Sequence, residues 1–242
     1  MALFLYHKTF LYQVHKVLLL QQSTSYHLFQ RNKFFHLVFQ LFSNIQWGQR
    51  GNFLDVPTDC PQRDERLGWT GDTQVFANVA TYNMACGDFY TKWLDDLNTC
   101  RTKKGAYAFI APNPWKNWQG DGATGWSDAA IVCPWIMMLK YADVRIVKKY
   151  LKNMRAWLDW EVDHANGSFI VNNATFGDWL NQNDDTDREY LSTAYLAGMA
   201  ALLAKMAELA GEKADAESAE KLAENVRKAF IEKYFDADGV LS

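Results

Sequence analysis

Apolar residues recur every three to four positions through most of the second half of the chain. One such stripe runs through residues 147–158, a second through 191–209 and a third through 222–234. This spacing is typical of the buried face of an α-helix. Gly211 follows the second stripe at the position where glycine commonly ends a helix. The pattern therefore predicts three amphipathic helices.

The first half holds weaker signals of the same kind. Residues 73–99 predict one long or broken helix, residues 35–48 a less regular one, and residues 128–142 a helix that Pro134 either kinks or begins. The one β-like run is 168–171. Long polar segments separate the helices, at 49–72, 101–127 and 165–190. We therefore predict an all-α domain of helical hairpins whose long loops carry the chemistry.

Composition narrows the classes of partner. The 242 residues include 25 basic and 28 acidic side chains, for a net charge of −3, so nucleic acid is not an expected partner. Aromatic residues make up 15 % of the chain, with ten tryptophans. Tryptophan stacks well on sugar rings, although its default use is packing.

The first 54 residues differ from the rest, with five basic side chains and no acidic one. We interpret residues 1–35 as an atypical leader without a function of its own, because they contain no signal-peptide cleavage pattern. No stretch is long and apolar enough to predict a membrane span, and a membrane is not an expected partner. The compartment stays open, with the cytoplasm slightly favoured.

Metal ligands do not stand out in the sequence. The four cysteines, at 60, 86, 100 and 133, lack metal-ligand spacing, so we predict neither a metal nor any other cofactor. A rival interpretation makes the aspartate-rich turn 184–187 a metal-binding site, since such turns bind Mg²⁺ and diphosphate in helical isoprenoid enzymes. Arg188 occupies the place of the last aspartate in that motif, which favours a solvated turn.

The densest cluster of chemical groups is segment 59–72. It contains Asp59, Arg63, Asp64, Glu65, Arg66, Trp69 and Asp72. Such crowding raises the pKa of one carboxyl and lowers that of another, which a glycosidase acid requires. The alternative is a solvated loop held by salt bridges, in which Asp72 only caps a helix beginning at Thr73.

Two shorter motifs place an aromatic ring and a carboxylate beside a glycine. They are Gly125-Trp126-Ser127-Asp128 and Phe176-Gly177-Asp178-Trp179. Each offers a stacking surface for a sugar. The simpler interpretation makes Asp128 a helix N-cap and Trp179 a packing residue.

Together these motifs resemble one known family. The run from Gly51 to Asp72 (GNFLDVPTDCPQRDERLGWTGD), followed by GWSDA at 125–129 and GDWL at 177–180, is similar to bacterial α-L-rhamnosidases of glycoside hydrolase family 78. The resemblance extends from about Leu41 to Ser242. It implies an (α/α)6 barrel of six helical hairpins and inverting removal of terminal α-L-rhamnose.

The resemblance also implies residue roles. Glu65 corresponds to the general acid. The rhamnose-contacting positions fall on Asp59, Arg63, Trp69 and Asp72, and aromatic positions that line the sugar site fall on Trp126 and Trp179.

The match is partial. Six predicted helices make about half a barrel, the family's general-base glutamate is expected beyond Ser242, and the flanking β-sandwich domains are missing. We therefore interpret residues 36–242 as the N-terminal half of the catalytic domain of an α-L-rhamnosidase that acts on rhamnose-containing glycosides or polysaccharides. The alternative is a catalytically inactive sugar-binding fragment, and the oligomeric state stays open.

Overall fold

The computed structural model describes residues 33–115, 122–182 and 185–241. The chain divides into two compact units, residues 1–50 and 51–242. Within the described ranges all regular secondary structure is helical, and no strand is formed there. The helices are α1 (Lys33–Asn52), α2 (Thr70–Asn83), α3 (Gly87–Thr99), α4 (Ala129–Tyr141), α5 (Arg145–His164), α6 (Arg188–Ala210) and α7 (Lys213–Tyr234). Residues 1–32 of the predicted leader lie outside the described residues.

The three C-terminal stripes are confirmed as α5, α6 and α7, and the all-α prediction is confirmed with them. The predicted helix over 73–99 is broken, since α2 ends before α3 begins at Gly87. Pro134 lies inside α4, so the interpretation that it begins the helix is wrong.

The β-like run at 168–171 forms no strand. The chain instead turns sharply after α5, because Asn166, Gly167 and Phe169 all adopt positive φ, at 49°, 79° and 59°. Val171 directs its N–H to the Thr193 hydroxyl, at 3.1 Å, rather than to a neighbouring strand. The apolar character of this run reflects packing of the turn against the core, since Val171 is only 1 % exposed.

Large aromatic side chains fill the core between the helices. Tyr90, Trp93 and Trp157 are fully buried. The indole N–H of Trp93 donates to the Ala111 carbonyl oxygen at 2.9 Å, and that of Trp157 donates to Asp128 Oδ1 at 2.9 Å. Each buried indole thus keeps a hydrogen-bond partner, as burial requires. Both acceptors belong to loops, so the core also anchors the loops.

Helices α6 and α7 form a tightly packed hairpin. Gly211, at φ 83°, ends α6 as predicted, and its N–H donates to the carbonyls of Ala207 and Glu208. Many of the buried side chains of the two helices are small, among them Ala200, Ala204, Ala207, Ala210, Ala219 and Ala223. At the other end, Glu189 pairs with Lys233 and accepts the Tyr234 hydroxyl at 2.8 Å. Within the described chain α6 alone is long and apolar enough to cross a membrane, but half of that window is buried, as in a core helix.

Candidate active site

Asp59 closes the loop that leads into α2. Its backbone N–H donates to the Leu67 carbonyl at 3.0 Å, and the Leu67 N–H donates to Asp59 Oδ1, also at 3.0 Å. The Asp59 side chain is 7 % exposed. Next to Leu67, the Gly68 carbonyl accepts the Ala111 N–H at 2.9 Å. Loop 59–68 is therefore fixed both internally and to the segment after α3.

Glu65 lies at the centre of this loop. Its Oε1 accepts the indole N–H of Trp69 at 2.8 Å, and its Oε2 contacts Arg63 Nη2 at 2.7 Å. The same guanidinium nitrogen reaches Asp59 Oδ2 at 3.3 Å. Four of the predicted site residues thus form one contiguous group, with the Arg63 side chain 61 % exposed above it.

The same loop brings together three atoms of the kind that bind metals. One ligand atom each of Asp59, Cys60 and Glu65 lies within 4.8 Å of the others. The Arg63 guanidinium contacts both carboxylates, so it supplies a positive charge to this cluster.

Asp72 lies in the first turn of α2 and does not cap it. The helix begins at Thr70, three residues earlier than the capping interpretation requires, because the Thr70 N–H and hydroxyl both bond to the Phe109 carbonyl at 3.0 Å. Although the Asp72 side chain is exposed, partial desolvation by the surrounding protein raises the pKa of its carboxyl. The negative charges of Asp59 and Glu65 add to this rise, and Arg63 opposes it.

An aromatic cluster borders this group. The Trp69 ring stacks on Phe109 with centroids 5.6 Å apart, and Phe176 meets Trp69 edge-on at 5.8 Å. Trp126 packs on Phe176 at 4.6 Å. Trp179 meets Trp126 edge-on at 6.4 Å and is 66 % exposed. Trp179 therefore lies at the open end of the cluster, where it packs on its aromatic neighbours and leaves most of its surface exposed.

Trp126 also lies directly against α2. A Cβ atom on Gly71 would come within 2.6 Å of the Trp126 indole, so only glycine permits this approach. The indole is thereby held one residue from Asp72. The structure thus brings all seven predicted site residues into one region, since Trp126 and Trp179 connect to Glu65 through Phe176 and Trp69.

The structure places Asp128 beside a second buried carboxyl, Glu161, which the sequence analysis did not select. Asp128 does occupy the N-cap position of α4, but its carboxylate makes no capping bond and instead accepts the Gly125 N–H at 2.7 Å and the Trp157 indole N–H at 2.9 Å. Close by, the fully buried Glu161 accepts the Thr124 hydroxyl at 2.8 Å. Glu161 follows Trp157 by one helical turn, so its place on the buried stripe of α5 was a usable signal.

The described residues of the aspartate-rich turn 184–187 stabilise local structure. Asp184 lies outside the described residues. Asp187 accepts the Tyr190 N–H at 2.8 Å and so caps α6, and Asp185 accepts the Asn181 side-chain amide at 2.5 Å. A cavity of about 540 Å³ lies beside this turn, and Trp179 is among the residues that line it.

Comparison with known proteins identifies the family. Residues 35–242 match the sequence profile of the bacterial α-L-rhamnosidase six-hairpin glycosidase domain. The α-L-rhamnosidase of Streptomyces avermitilis is 44 % identical over 200 residues, which cover 83 % of this chain and 19 % of that protein. An α-L-rhamnosidase of Formosa agariphila is 37 % identical over 203 residues, 81 % of this chain and 22 % of that protein.

Solved structures agree. The S. avermitilis α-L-rhamnosidase, crystallised with L-rhamnose, superposes with a TM-score of 0.79 at 42 % identity, over 85 % of this chain and 19 % of that one. The α-L-rhamnosidase from Dictyoglumus thermophilum gives 0.76 at 32 % identity, over 84 % and 23 %. The chain thus spans about a fifth of the length of these relatives. Its helices are part of a six-hairpin glycosidase fold, and the chain belongs to the bacterial α-L-rhamnosidase family.

Proposed function

We propose that this chain binds the terminal α-L-rhamnose of glycosides or polysaccharides and supplies the general acid of an inverting α-L-rhamnosidase. The observation that carries the proposal is the contact of Glu65 with both Arg63 and Trp69 beside an exposed aromatic cluster. A carboxyl, a guanidinium and indole rings in one open site are what a glycosidase acid and a sugar subsite require.

Recognition of rhamnose combines apolar and polar contacts. Trp126 and Trp179 offer ring surfaces for the apolar face and the C6 methyl of the sugar. A single methyl group contributes only about 1–3 kcal/mol of discrimination, so hydroxyl recognition has to supply the remainder. Asp59, Arg63 and Asp72 provide charged groups for those hydroxyls.

Proton donation by Glu65 requires a change in its contacts. In this structure one carboxyl oxygen accepts a hydrogen bond from Trp69 and the other pairs with Arg63. We infer that Arg63, which is mostly exposed, turns from Glu65 towards the sugar hydroxyls when substrate binds. Oε2 is then available to carry the proton for the glycosidic oxygen, while Trp69 keeps the carboxyl oriented.

Inversion needs a second carboxylate across the sugar ring. The acid and base of inverting glycosidases stand roughly 6.5–9.5 Å apart, leaving room for a water molecule. We expect that base outside the fifth of the relatives' length that this chain spans. The chain by itself is then expected to bind rhamnose with little turnover, and the alternative function, an inactive sugar-binding fragment, shares this site.

Calorimetric titration of the full chain with L-rhamnose tests the binding. L-Mannose is the matched ligand, since it differs from L-rhamnose only by a hydroxyl at C6, and we expect it to bind about tenfold or more weakly. W69F removes the indole N–H that orients Glu65 and is expected to weaken rhamnose binding. W47F, at an exposed tryptophan of the first compact unit, is the control and should leave binding unchanged. Equal affinity for the two sugars would contradict the proposed subsite.

A chimera tests the acid. The chain replaces the matching segment of the S. avermitilis enzyme, and hydrolysis of a rhamnoside with a poor leaving group is measured. E65Q is expected to lower kcat by about 10²–10⁴-fold, the usual contribution of a general acid. D64N removes the same charge from the exposed neighbouring residue and should retain the rate. An active E65Q chimera would rule out Glu65 as the acid.

A further inference from the structure

Two carboxyl groups are fully buried beneath the turn that carries Trp126. Asp128 and Glu161 both have 0 % exposed surface. Across the part of the chain that the structure describes, neither forms an ion pair with a lysine, arginine or histidine. Two negative charges in an apolar interior without a cation are very costly, so the pair must hold a proton.

The hydrogen bonds assign that proton. Both oxygens of Asp128 accept N–H groups, from Gly125 and from Trp157, which is the pattern of an ionised carboxylate. Glu161 Oε1 accepts the Thr124 hydroxyl, whereas Oε2 has no partner among the described residues. Glu161 is therefore the protonated member. Consistently, burial raises the pKa of both groups, and the charge of Asp128 raises that of Glu161 further.

Gly125 connects this pair to the candidate active site. Its N–H donates to Asp128, and its carbonyl accepts the side-chain amide of Gln74, which belongs to α2. Gly125 adopts a positive φ of 84°, so the chain turns directly before Trp126. The Trp126 indole then lies against Gly71, in the first turn of the same helix α2.

We propose that Asp128 and Glu161 are positioning residues, a buried carboxyl pair with one proton that holds the turn 124–126 and thereby keeps the Trp126 indole beside Asp72. The pair touches neither the sugar nor the reacting atoms, and its relevance to rhamnose rests on the proposed function. Asp128 supplies the charge that fixes the Gly125 N–H, and Glu161 supplies a neutral acceptor for Thr124. The division of roles predicts that the two residues respond differently to the same substitution.

The test follows Trp126 directly in the full chain. The protein is labelled with 5-fluorotryptophan, and the ¹⁹F resonance of Trp126 is assigned by its loss in W126F. D128N is expected to shift or broaden this resonance, because asparagine keeps only one acceptor oxygen and its NH2 group faces one of the two N–H donors without accepting from it. E161Q keeps the neutral acceptor and is expected to leave the resonance in place. D163N, which removes a charge from an exposed position on the same helix, is the control.

A merely structural role predicts a different result. If the pair only stabilised the fold, the resonances of Trp126 and of the core residue Trp93 would change together in every variant that melts earlier. Equal effects of D128N and E161Q on Trp126, or no effect of D128N in a folded chain, would overturn the proposal. Should D128N fail to fold, T124V removes only the hydroxyl donor to Glu161, and an unmoved Trp126 resonance in T124V would overturn the proposal equally.

Sugar affinity provides a second readout. Displacement of Trp126 in D128N is expected to weaken L-rhamnose binding about tenfold, equivalent to about 1.4 kcal/mol, while E161Q retains the wild-type affinity. Unchanged affinity in D128N, despite a displaced indole, would overturn the link to rhamnose. Failure of the wild-type chain to bind rhamnose would overturn the proposed function, and the ¹⁹F resonance would still decide the positioning role.

Discussion

Gly68 joins the candidate acid loop to the segment after α3, and alanine at this position should separate them. A Cβ atom on Gly68 would stand 2.1 Å from the carbonyl oxygen of Ala111. Ordinary contact distances demand that the two backbones move apart by roughly 1 Å or more. Because the obstructing atom belongs to the backbone, no side-chain rotation relieves the clash.

The magnitude follows from what that movement breaks. The Ala111 N–H donates to the Gly68 carbonyl at 2.9 Å, and the fully buried Trp93 donates to the Ala111 carbonyl at 2.9 Å. Overpacking costs about 1–3 kcal/mol, and each weakened hydrogen bond about 0.5–1.5 kcal/mol. We therefore expect G68A to lower the free energy of unfolding by about 2–6 kcal/mol.

Thermal unfolding followed by circular dichroism measures this. For a chain of this size the expected loss lowers Tm by roughly 4–24 °C. G198A is the matched control, because Gly198 lies inside α6 with no atom within 4 Å of its would-be Cβ. That substitution should instead stabilise the helix by about 1 kcal/mol. If G68A melted at or above the wild-type temperature, the geometry inferred for loop 59–68 would be refuted.

Three further outcomes are expected. Y141F removes the oxygen that accepts the Cys86 N–H at 3.0 Å, so Tm should fall by roughly 2–4 °C, and an unchanged Tm would speak against this bond. Burial raises the pKa of the Cys133 thiol, so a thiol reagent at pH 8 should modify Cys133 only after unfolding; rapid labelling of the native chain would contradict the core packing. The pKa of Glu189 is lowered below 4.5, chiefly by the hydrogen bond from Lys233 and also by the hydrogen bond from Tyr234. The contribution of these bonds to stability is therefore present at neutral pH and is lost as pH falls through the lowered pKa. The Tm difference between wild type and E189Q should therefore shrink between pH 7 and pH 3, and a constant difference would show that the charge is not involved.

The sequence predicted those features whose causes are local. The stripes that became α5, α6 and α7 depend on residues three and four positions apart, and the helix ends at Gly211 for an equally local reason. The group of Asp59, Arg63, Glu65 and Trp69 was predictable too, because all four residues lie within one short loop.

Features set by distant contacts were not predictable from local patterns. The start of α2 was placed too late, since the bonds from Thr70 to the Phe109 carbonyl span 39 positions. Glu161 lay visibly on the buried stripe of α5, but its partner Thr124 is 37 positions away. Local patterns led to the interpretation of Asp128 as a helix cap, and they did not indicate that Asp128 and Glu161 share one interior.

The buried alanines of α6 and α7 have a consequence for protein engineering. A side chain of one carbon leaves almost nothing to shorten, so truncation to alanine, the usual way to loosen a core, is not available at these positions. Added methylene groups are the effective perturbation there, since they overpack a filled interior. Stabilising designs should therefore leave these positions unchanged, and saturation mutagenesis should show that they reject valine and leucine while accepting serine or glycine at smaller cost.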